Sequence, residues 1–533
     1  MRKYILIVIL LLFDDVLFAQ NTFLYDIQLT PISIPNLPGL HSYAFGQHDG
    51  KWLVIGGRKD GLHARQPFAS FPKSNNNTTI YVVDIATKKT WSASLNVLST
   101  GLREQLQSTN MNFYQDENSL YIIGGYSFSK SVNDHITHNK LTAIDVPNLI
   151  TVIIAKKTIL PYFKQISNPI FQNTGGQLGK IGNEFYLVGG QIFTGRYNPM
   201  NGPSFVQTYV SKIQKFTINN SKNKLSFGNY SQINDAVHLH RRDYNLVPQI
   251  FPNGDEGYTI SSGVFQINSD LPFLYPVDIK KDGYSEQTQF NQYLSNYHSG
   301  KVGIYDQKNN QMHSLFFGGI SQYYFKNSEM VRDTTVPFVK TISRVTRLTD
   351  GSLSEHNFPV EMPNLKGAGA EFIPNKNIPH YSNEVIKWNE ITSKEVVIGD
   401  LYGGIQSSSK SAFTDNQTSL TQADPTIYEV KLVYNPNIIV KNVDGSNMFE
   451  FSFLSDFAKE NSVKIHFNLP YIAVLDYFIT SNNGEILDDG EIGGLKTGEN
   501  TMTFNLENAK EKEINITFVF DNKFYRTQKL IRN

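Results

Sequence analysis

The sequence contains no cysteine. That excludes disulfides, thiolate metal sites and thiol nucleophiles, so the fold rests on packing and backbone pairing alone. Net charge is absent too. Lys+Arg and Asp+Glu both number 48, which leaves no broad basic field for nucleic acid and no polybasic membrane anchor. Past the first twenty residues there is no run of about 18 apolar residues, so no transmembrane span is expected. Walker loops, dinucleotide fingerprints, G-x-S-x-G elbows and H-E-x-x-H motifs are all missing, and the sequence calls for no cofactor. Methionine is scarce, at 8 residues against 36 Phe and 28 Tyr. Aromatics in that excess, with many Gly, Asn, Ser and Thr, favour strands and turns over helices. A chain of 533 residues is too long for one ordinary core, so two or more domains are expected.

The first residues form a unit of their own. Arg2 and Lys3 make a basic head, residues 5–13 an apolar run, and Leu17-Phe18-Ala19 a cleavage site before Gln20. This is the layout of a secretory signal peptide over residues 1–19. It implies a secreted or cell-surface protein, with the periplasm as the alternative.

Repetition dominates the chain beyond that segment. Apolar runs end in Gly-Gly at Gly56-Gly57, Gly124-Gly125, Gly189-Gly190 and Gly318-Gly319. The first three pairs are evenly spaced, and the last interval is about twice as long. A hidden unit fits that gap at Gly257-Tyr258-Thr259-Ile260-Ser261-Ser262-Gly263, where serines replace the diglycine, and a looser one ends at Gly403-Gly404. Each unit reads as strand, tight turn, strand to the diglycine, variable loop, third strand and fourth strand. Four short antiparallel strands per repeat make one propeller blade. The last unit lacks a fourth strand, and the alternating Phe23-Leu24-Tyr25-Asp26-Ile27-Gln28-Leu29 supplies one beside residues 426–432, removing an exposed edge.

The diglycine followed by Tyr81, Asp84 and Trp91 resembles a Kelch repeat. The resemblance implies a six-bladed Kelch-like β-propeller over residues 20–435, with seven blades as the alternative, in an all-β chain. Residues 436–533 alternate as short strands between turns such as Asn482-Asn483-Gly484, which fits an Ig-like β-sandwich. This tail is similar to the C-terminal sorting domains of type IX secretion cargo. Asn435-Pro436, Ser481-Asn482-Asn483-Gly484-Glu485-Ile486 and the closing Arg526-Thr527-Gln528-Lys529-Leu530-Ile531 carry the likeness, although Glu513-Ile514-Asn515 stands where the family has Gly-x-Tyr. It implies outer-membrane secretion machinery as a partner.

Strand alternation puts the long loops between second and third strands on the same face as the links between blades. Long loops on one rim of a rigid scaffold are where binding concentrates. Candidate ligand-binding residues there are His41, Arg103, Glu104, His240, Arg242, Asp243, Tyr297 and His298 from the links, with Arg58 and Arg196 from the loops. Arginine forks beside aromatic faces suit a carboxylate-bearing or sugar ligand. The bland alternative is that these residues pair with one another. His238 and His240 lie two apart but lack further ligands, so no metal site is assigned.

The expected function is an exported binding protein whose loop-rich face holds a protein, peptide or carbohydrate ligand, with no catalytic residue assigned. The alternative is a sugar-processing enzyme like the sialic acid mutarotases, which are six-bladed Kelch propellers, with Arg103, Glu104, Arg242 and Asp243 in a central funnel. Copper chemistry of the galactose oxidase kind is disfavoured, because its crosslinked cofactor needs a cysteine.

Overall fold

A computed structural model of the chain describes residues 23–531 apart from 67, 200–203, 223, 455–461 and 507–510. The proposed signal peptide lies outside the described residues. The described chain is all-β and propeller-like, built from small antiparallel sheets.

The first sheet runs Ala44–His48, Lys51–Ile55, Thr79–Asp84 and Lys89–Ser94, each strand beside the next. The second sheet (Asn112–Asp116 to Phe163–Ser167), the third (Gln177–Ile181 to Lys224–Asn234), the fourth (Asn245–Ile250 to Gly283–Glu286) and the fifth (Gly300–Asp306 to Leu353–Glu361) repeat that order. In the sixth, Leu365–Pro374, Glu395–Ser407 and Ile427–Tyr434 are joined by Tyr25–Ile32, in antiparallel register from Tyr25 opposite Tyr434 to Ile32 opposite Ile427. The amino end of the described chain thus completes the sheet that the sequence leaves one strand short. First strands pack in succession, second sheet on first through to sixth on fifth, and Gln47 Nε2 donates to Pro374 O at 2.9 Å to return from the sixth to the first.

The diglycines tie neighbouring sheets together. Gly57 N donates to Ser108 O (2.8 Å), Gly125 N to Asn173 O (2.9 Å), Gly190 N to Arg241 O (2.8 Å), Gly319 N to Lys366 O (2.9 Å) and Gly404 N to Leu40 O (2.9 Å). Each bond reaches the link that precedes the next sheet or, at Lys366, the start of its first strand. Close approach explains the residue type: at Gly124, φ is +65° and a Cβ would stand 1.8 Å from Asn173 O, which no L side chain tolerates. Between the fourth and fifth sheets this tie is replaced. Ser262-Gly263 stands at the diglycine, and Asn245 bridges instead, Nδ2 donating to Asn296 O at 2.9 Å and Oδ1 accepting from Ser299 N at 3.0 Å.

Two short helices stand where aromatic-rich, β-prone composition predicts none. Thr100–Leu106 forms the link into the second sheet. Val146–Ile154 follows that sheet's third strand, capped by Asp145 accepting from Asn148 N, with Pro147 in its first turn. It buries Leu149, Ile150, Val152 and Ile153 against the core between the first two sheets.

The described residues from 450 to 531 form two antiparallel sheets. Glu450–Phe453, Ser462–Leu469 and Gly498–Asn505 make one, and Ile486–Ile492, Leu475–Ser481, Glu513–Phe520 and Phe524–Ile531 the other. Phe449, Phe467, Phe518 and Phe520 are buried in their shared core. Before them the chain stays with the fifth sheet, where Lys441–Val443 pairs beside Leu353–Glu361. The module then docks on the fourth sheet. Tyr525 lies 4.6 Å from Tyr275 and 5.9 Å from Phe273, ring to ring, and its hydroxyl donates to Gln266 Oε1 at 2.9 Å. Beneath, Arg241 is fully buried between the faces of Phe273 (4.3 Å) and Tyr275 (4.4 Å). Arg526 donates to Thr288 O, and Asp521 pairs with Arg332 at 2.8 Å, carrying the contact across to the loop of the fifth sheet.

Glu355, opposite Val443, is fully buried and, among the described residues, accepts from Tyr293 N (2.8 Å) and Leu294 N (3.0 Å). Burial pushes its carboxyl up to about 8, against those two bonds. Because the folded value lies above the unfolded one of about 4.3, the folded state holds the extra proton between them, and stability falls as pH rises through that window. Melting curves from about pH 5 to about pH 9 should therefore fall more steeply for the wild type than for Glu355→Gln; parallel curves would count against this assignment.

Candidate functional site

In five of the six sheets the loop between second and third strands and the link ahead of the sheet pair directly. Isolated bridges join His41 to Arg58, Thr109 to Tyr126, Thr174 to Gln191, Arg242 to Val264 and Tyr297 to Ile320. Loops and links therefore share one face. Those of the second and third sheets build an additional sheet there, ordered Phe205–Tyr209, Gln191–Gly195, Asp134–Thr137, Tyr126–Ser129. Among the described residues, five of the six loops also expose one large apolar side chain: Phe68, Val132, Val206, Met330 and Leu420, each between 41% and 65% accessible.

His63 joins three of the loops, with ring centres 5.1 Å from Phe71, 5.0 Å from Tyr197 and 5.2 Å from Phe413. Burial, then the nearby Arg242 charge, pushes its imidazole down to about 4, so it is neutral at physiological pH. Arg58 is buried and forks onto Asp60, with Nε at 2.8 Å and Nη2 at 2.5 Å, while Nη1 donates to Asn76 Oδ1 at 2.8 Å. His41 Nε2 stands 3.7 Å from the same carboxylate. Arg196 is drawn under the first loop, where Nε donates to Ser70 O at 2.7 Å.

Below the loops a belt of main chain narrows the axis. Ser42 N donates to Gly369 O, Asn110 N to Ser42 O, Gly175 N to Asn110 O, Asp243 N to Gly175 O, and Gly369 N to His298 O, all at 2.7–3.1 Å. The six residues come from six different links or first strands and share the left-handed conformation, with φ from +51° at Asn110 to +72° at Gly369. Asn and Asp visit that region more readily than most residues. Among the described residues the belt is interrupted once, between Asp243 and His298, at the same seam where the diglycine tie is replaced.

The side chains at that seam form a compact group. Arg242 Nη1 pairs with Asp243 Oδ2 at 2.5 Å, Asn110 Nδ2 donates to Asp243 Oδ1 at 2.9 Å, and His298 Nδ1 stands 4.0 Å from that same oxygen. Arg242 also donates to Tyr209 OH at 3.3 Å and lies over Phe265 at 5.0 Å. His240 stacks on Tyr209 with centres 3.8 Å apart, and burial pushes its imidazole down to about 4. Burial also lowers His298, with Asp243 opposing. For Tyr297, in the adjoining link, burial raises the phenol's value and Arg242 opposes. Arg242, Asp243, Tyr297, His298 and His240 are thus brought together, with His41 and Arg58 in a second group on the same face. His238 faces elsewhere, toward Tyr275 OH (2.7 Å) and Thr527 (2.9 Å).

Arg103 and Glu104 do not join either group. The helix Thr100–Leu106 turns Glu104 onto the second loop, where Ser129 Oγ (2.8 Å), Ser131 N (3.0 Å) and Ser131 Oγ (3.0 Å) donate to its carboxylate.

Beneath the belt the first strands enclose a cavity of about 210 Å³. Asn110, Asp243 and His298 line its belt end; Lys301 and Glu371, 4.0 Å apart, stand in its wall. Burial raises the Glu371 carboxyl's value, with Lys301 opposing. Sequence reasoning missed Asn110, Asp60, Lys301 and Glu371. Asn110 was recoverable, since it holds the same place ahead of its sheet as Asp243. Glu371 lies in Gly367-Ala368-Gly369-Ala370-Glu371, which no repeat signature marks as a first strand.

No family model and no curated protein matches this sequence. Among solved structures, one titled "Structure of YjhT" aligns at 10% identity and a TM-score of 0.42, covering 77% of this chain and 99% of its own.

Proposed function

We propose that this chain is an exported six-bladed Kelch-type propeller, secreted or held at the cell surface, whose loop-rich face binds a peptide or protein partner. Its tail is an Ig-like sandwich of the type IX sorting kind. The observation that carries the binding reading is the set of five exposed apolar side chains, one per loop, on a single face. Scattered surface apolar residues need no explanation, but their recurrence at one station of five loops does, and such faces mark interaction sites. The charged groups behind them are already paired, which suits a framework that positions loops. In the alternative, a mutarotase-like enzyme, Arg103, Glu104, Arg242 and Asp243 would act together in the funnel; of these, Asp243 alone lines the cavity.

Peptide display against the immobilised protein tests the proposal. Enriched peptides should bind Phe68→Ser/Val206→Ser at least about tenfold more weakly than wild type, as expected for loss of apolar anchors. Equal binding to both proteins, or no enrichment, would sink it.

A further inference from the structure

We infer that the axial cavity is a second ligand site, reached from the face opposite the loops, and that it takes a small uncharged polyhydroxylated molecule of the monosaccharide class. Access follows from the belt. Main-chain bonds at 2.7–3.1 Å run around most of the axis there, and the Asn110–Asp243 hydrogen bond spans Gly175 inside them. A solute on the loop face meets this barrier before the cavity.

The other end is built differently. Most sheets join first and second strands by a tight turn, but the sixth inserts residues 375–394. Within this insertion Ile386–Lys387 pairs parallel to the free edge of Gly300–Asp306, and Asn383 Nδ2 donates to Gln249 O at 3.0 Å. Asn383 and Glu384 line the cavity from there, and Glu384 is bonded to Lys376 of the same insertion. The insertion is a strap across the far mouth, anchored by that strand pairing and by Asn383, with the exposed Lys376–Glu384 ion pair inside it.

The lining sets the ligand's chemistry. The cavity leaves about 210 Å³ for the centres of water-sized molecules, ample room for a single sugar ring. The charged residues lining it each have a partner: Lys301 with Glu371, Lys376 with Glu384, and Asp243 with Arg242. A charged ligand would leave one of these groups uncompensated in a poorly solvated space, which is costly. Phe45 and Phe113, edge to face at 5.3 Å, offer apolar surface beside the amides of Gln47 and Gln115. Aromatic faces with a few placed polar groups match a sugar's C–H face and its hydroxyls.

Calorimetry with the full protein tests this, using glucose, galactose, mannose and N-acetylglucosamine, with glucuronate and glucosamine as charged counterparts. At least one neutral sugar should bind saturably, and its charged counterparts at least about tenfold more weakly, given the desolvation cost. Phe113→Leu should weaken that binding about tenfold. Glu384→Ala should speed association, and the loop variant Phe68→Ser/Val206→Ser should leave it unchanged. Absence of saturable binding by every neutral sugar overturns the inference. So does preference for a charged one, or sensitivity to the loop variant with indifference to Phe113→Leu and Glu384→Ala. Because the loop variant serves both experiments, failure at one face is read separately from failure at the other.

Discussion

A chain ending at Asn435 should melt at least about 10 °C below the full protein and bind a hydrophobic dye in its folded state. The module beyond that point covers Phe273, Tyr275, Val237 and Leu239 of the fourth-sheet core, all at most 1% exposed. Each such side chain gains roughly 1.5–3 kcal/mol from burial, and only part of that gain survives undocking. Position adds to area. The module spans the fourth and fifth sheets, the one junction where both the diglycine tie and the belt are interrupted, and Lys441–Val443 is hydrogen bonded to the fifth sheet itself. Truncation therefore uncovers apolar surface and removes a clamp from the least regular seam. The finer variant Tyr525→Ala should cost about 3–5 kcal/mol, the usual range for deleting a buried aromatic, and it also leaves Gln266 Oε1 without its donor. Differential scanning calorimetry reads both. A truncated chain melting within a few degrees of the full one would mean that the two parts are independent, as a tail cut away after export requires.

Ile27→Asp should be still more damaging and should make the protein aggregate. Ile27 is 3% exposed, pairs opposite Leu432, and packs with Val430, Phe372 and Leu401 in the core of the last sheet. A carboxylate there has no partner, so it must be desolvated or protonated at a cost of several kcal/mol. Losing Tyr25–Ile32 from the sheet would also bare the Ile427–Tyr434 edge, a template for pairing between molecules. Light scattering on refolding separates the two effects. Adding a synthetic peptide of residues 22–34 should suppress aggregation of a chain that starts at residue 35 and leave Ile27→Asp aggregated; no effect on either would contradict closure by the amino-terminal strand.

The repeat was legible because its glycines serve a backbone contact that recurs in sheet after sheet. Gly124 sits against Asn173 O in the same way that Gly403 sits against Leu40 O, so the spacing reports the geometry. Helix Val146–Ile154 was not legible. Ile150-Thr151-Val152-Ile153-Ile154 has strand propensity, and what overrides it is Pro147 in the first turn, the Asp145 cap and a groove between two sheets that only the folded chain contains. The site was half legible for a related reason. Arg242, Asp243 and His298 were placed together by reading links onto one face. The belt depends on left-handed backbone at Ser42, Asn110 and His298, residue types that occupy many other conformations elsewhere. Arg103-Glu104 looked like another charged link; the short helix Thr100–Leu106 sends Glu104 to Ser129 and Ser131 instead. The strap at 375–394 carries no repeated pattern, so nothing in the sequence set it apart.

The sixth sheet holds strands from both ends of a stretch that begins at Tyr25 and finishes at Tyr434. A chain emerging from the ribosome has made its first strand hundreds of residues before the partner for that strand exists. Until Ile427–Tyr434 is synthesised the circle stays open, and whatever meets the nascent polypeptide meets an incomplete ring. Any partner that must act on an open chain has that whole interval in which to engage it before closure makes it rigid.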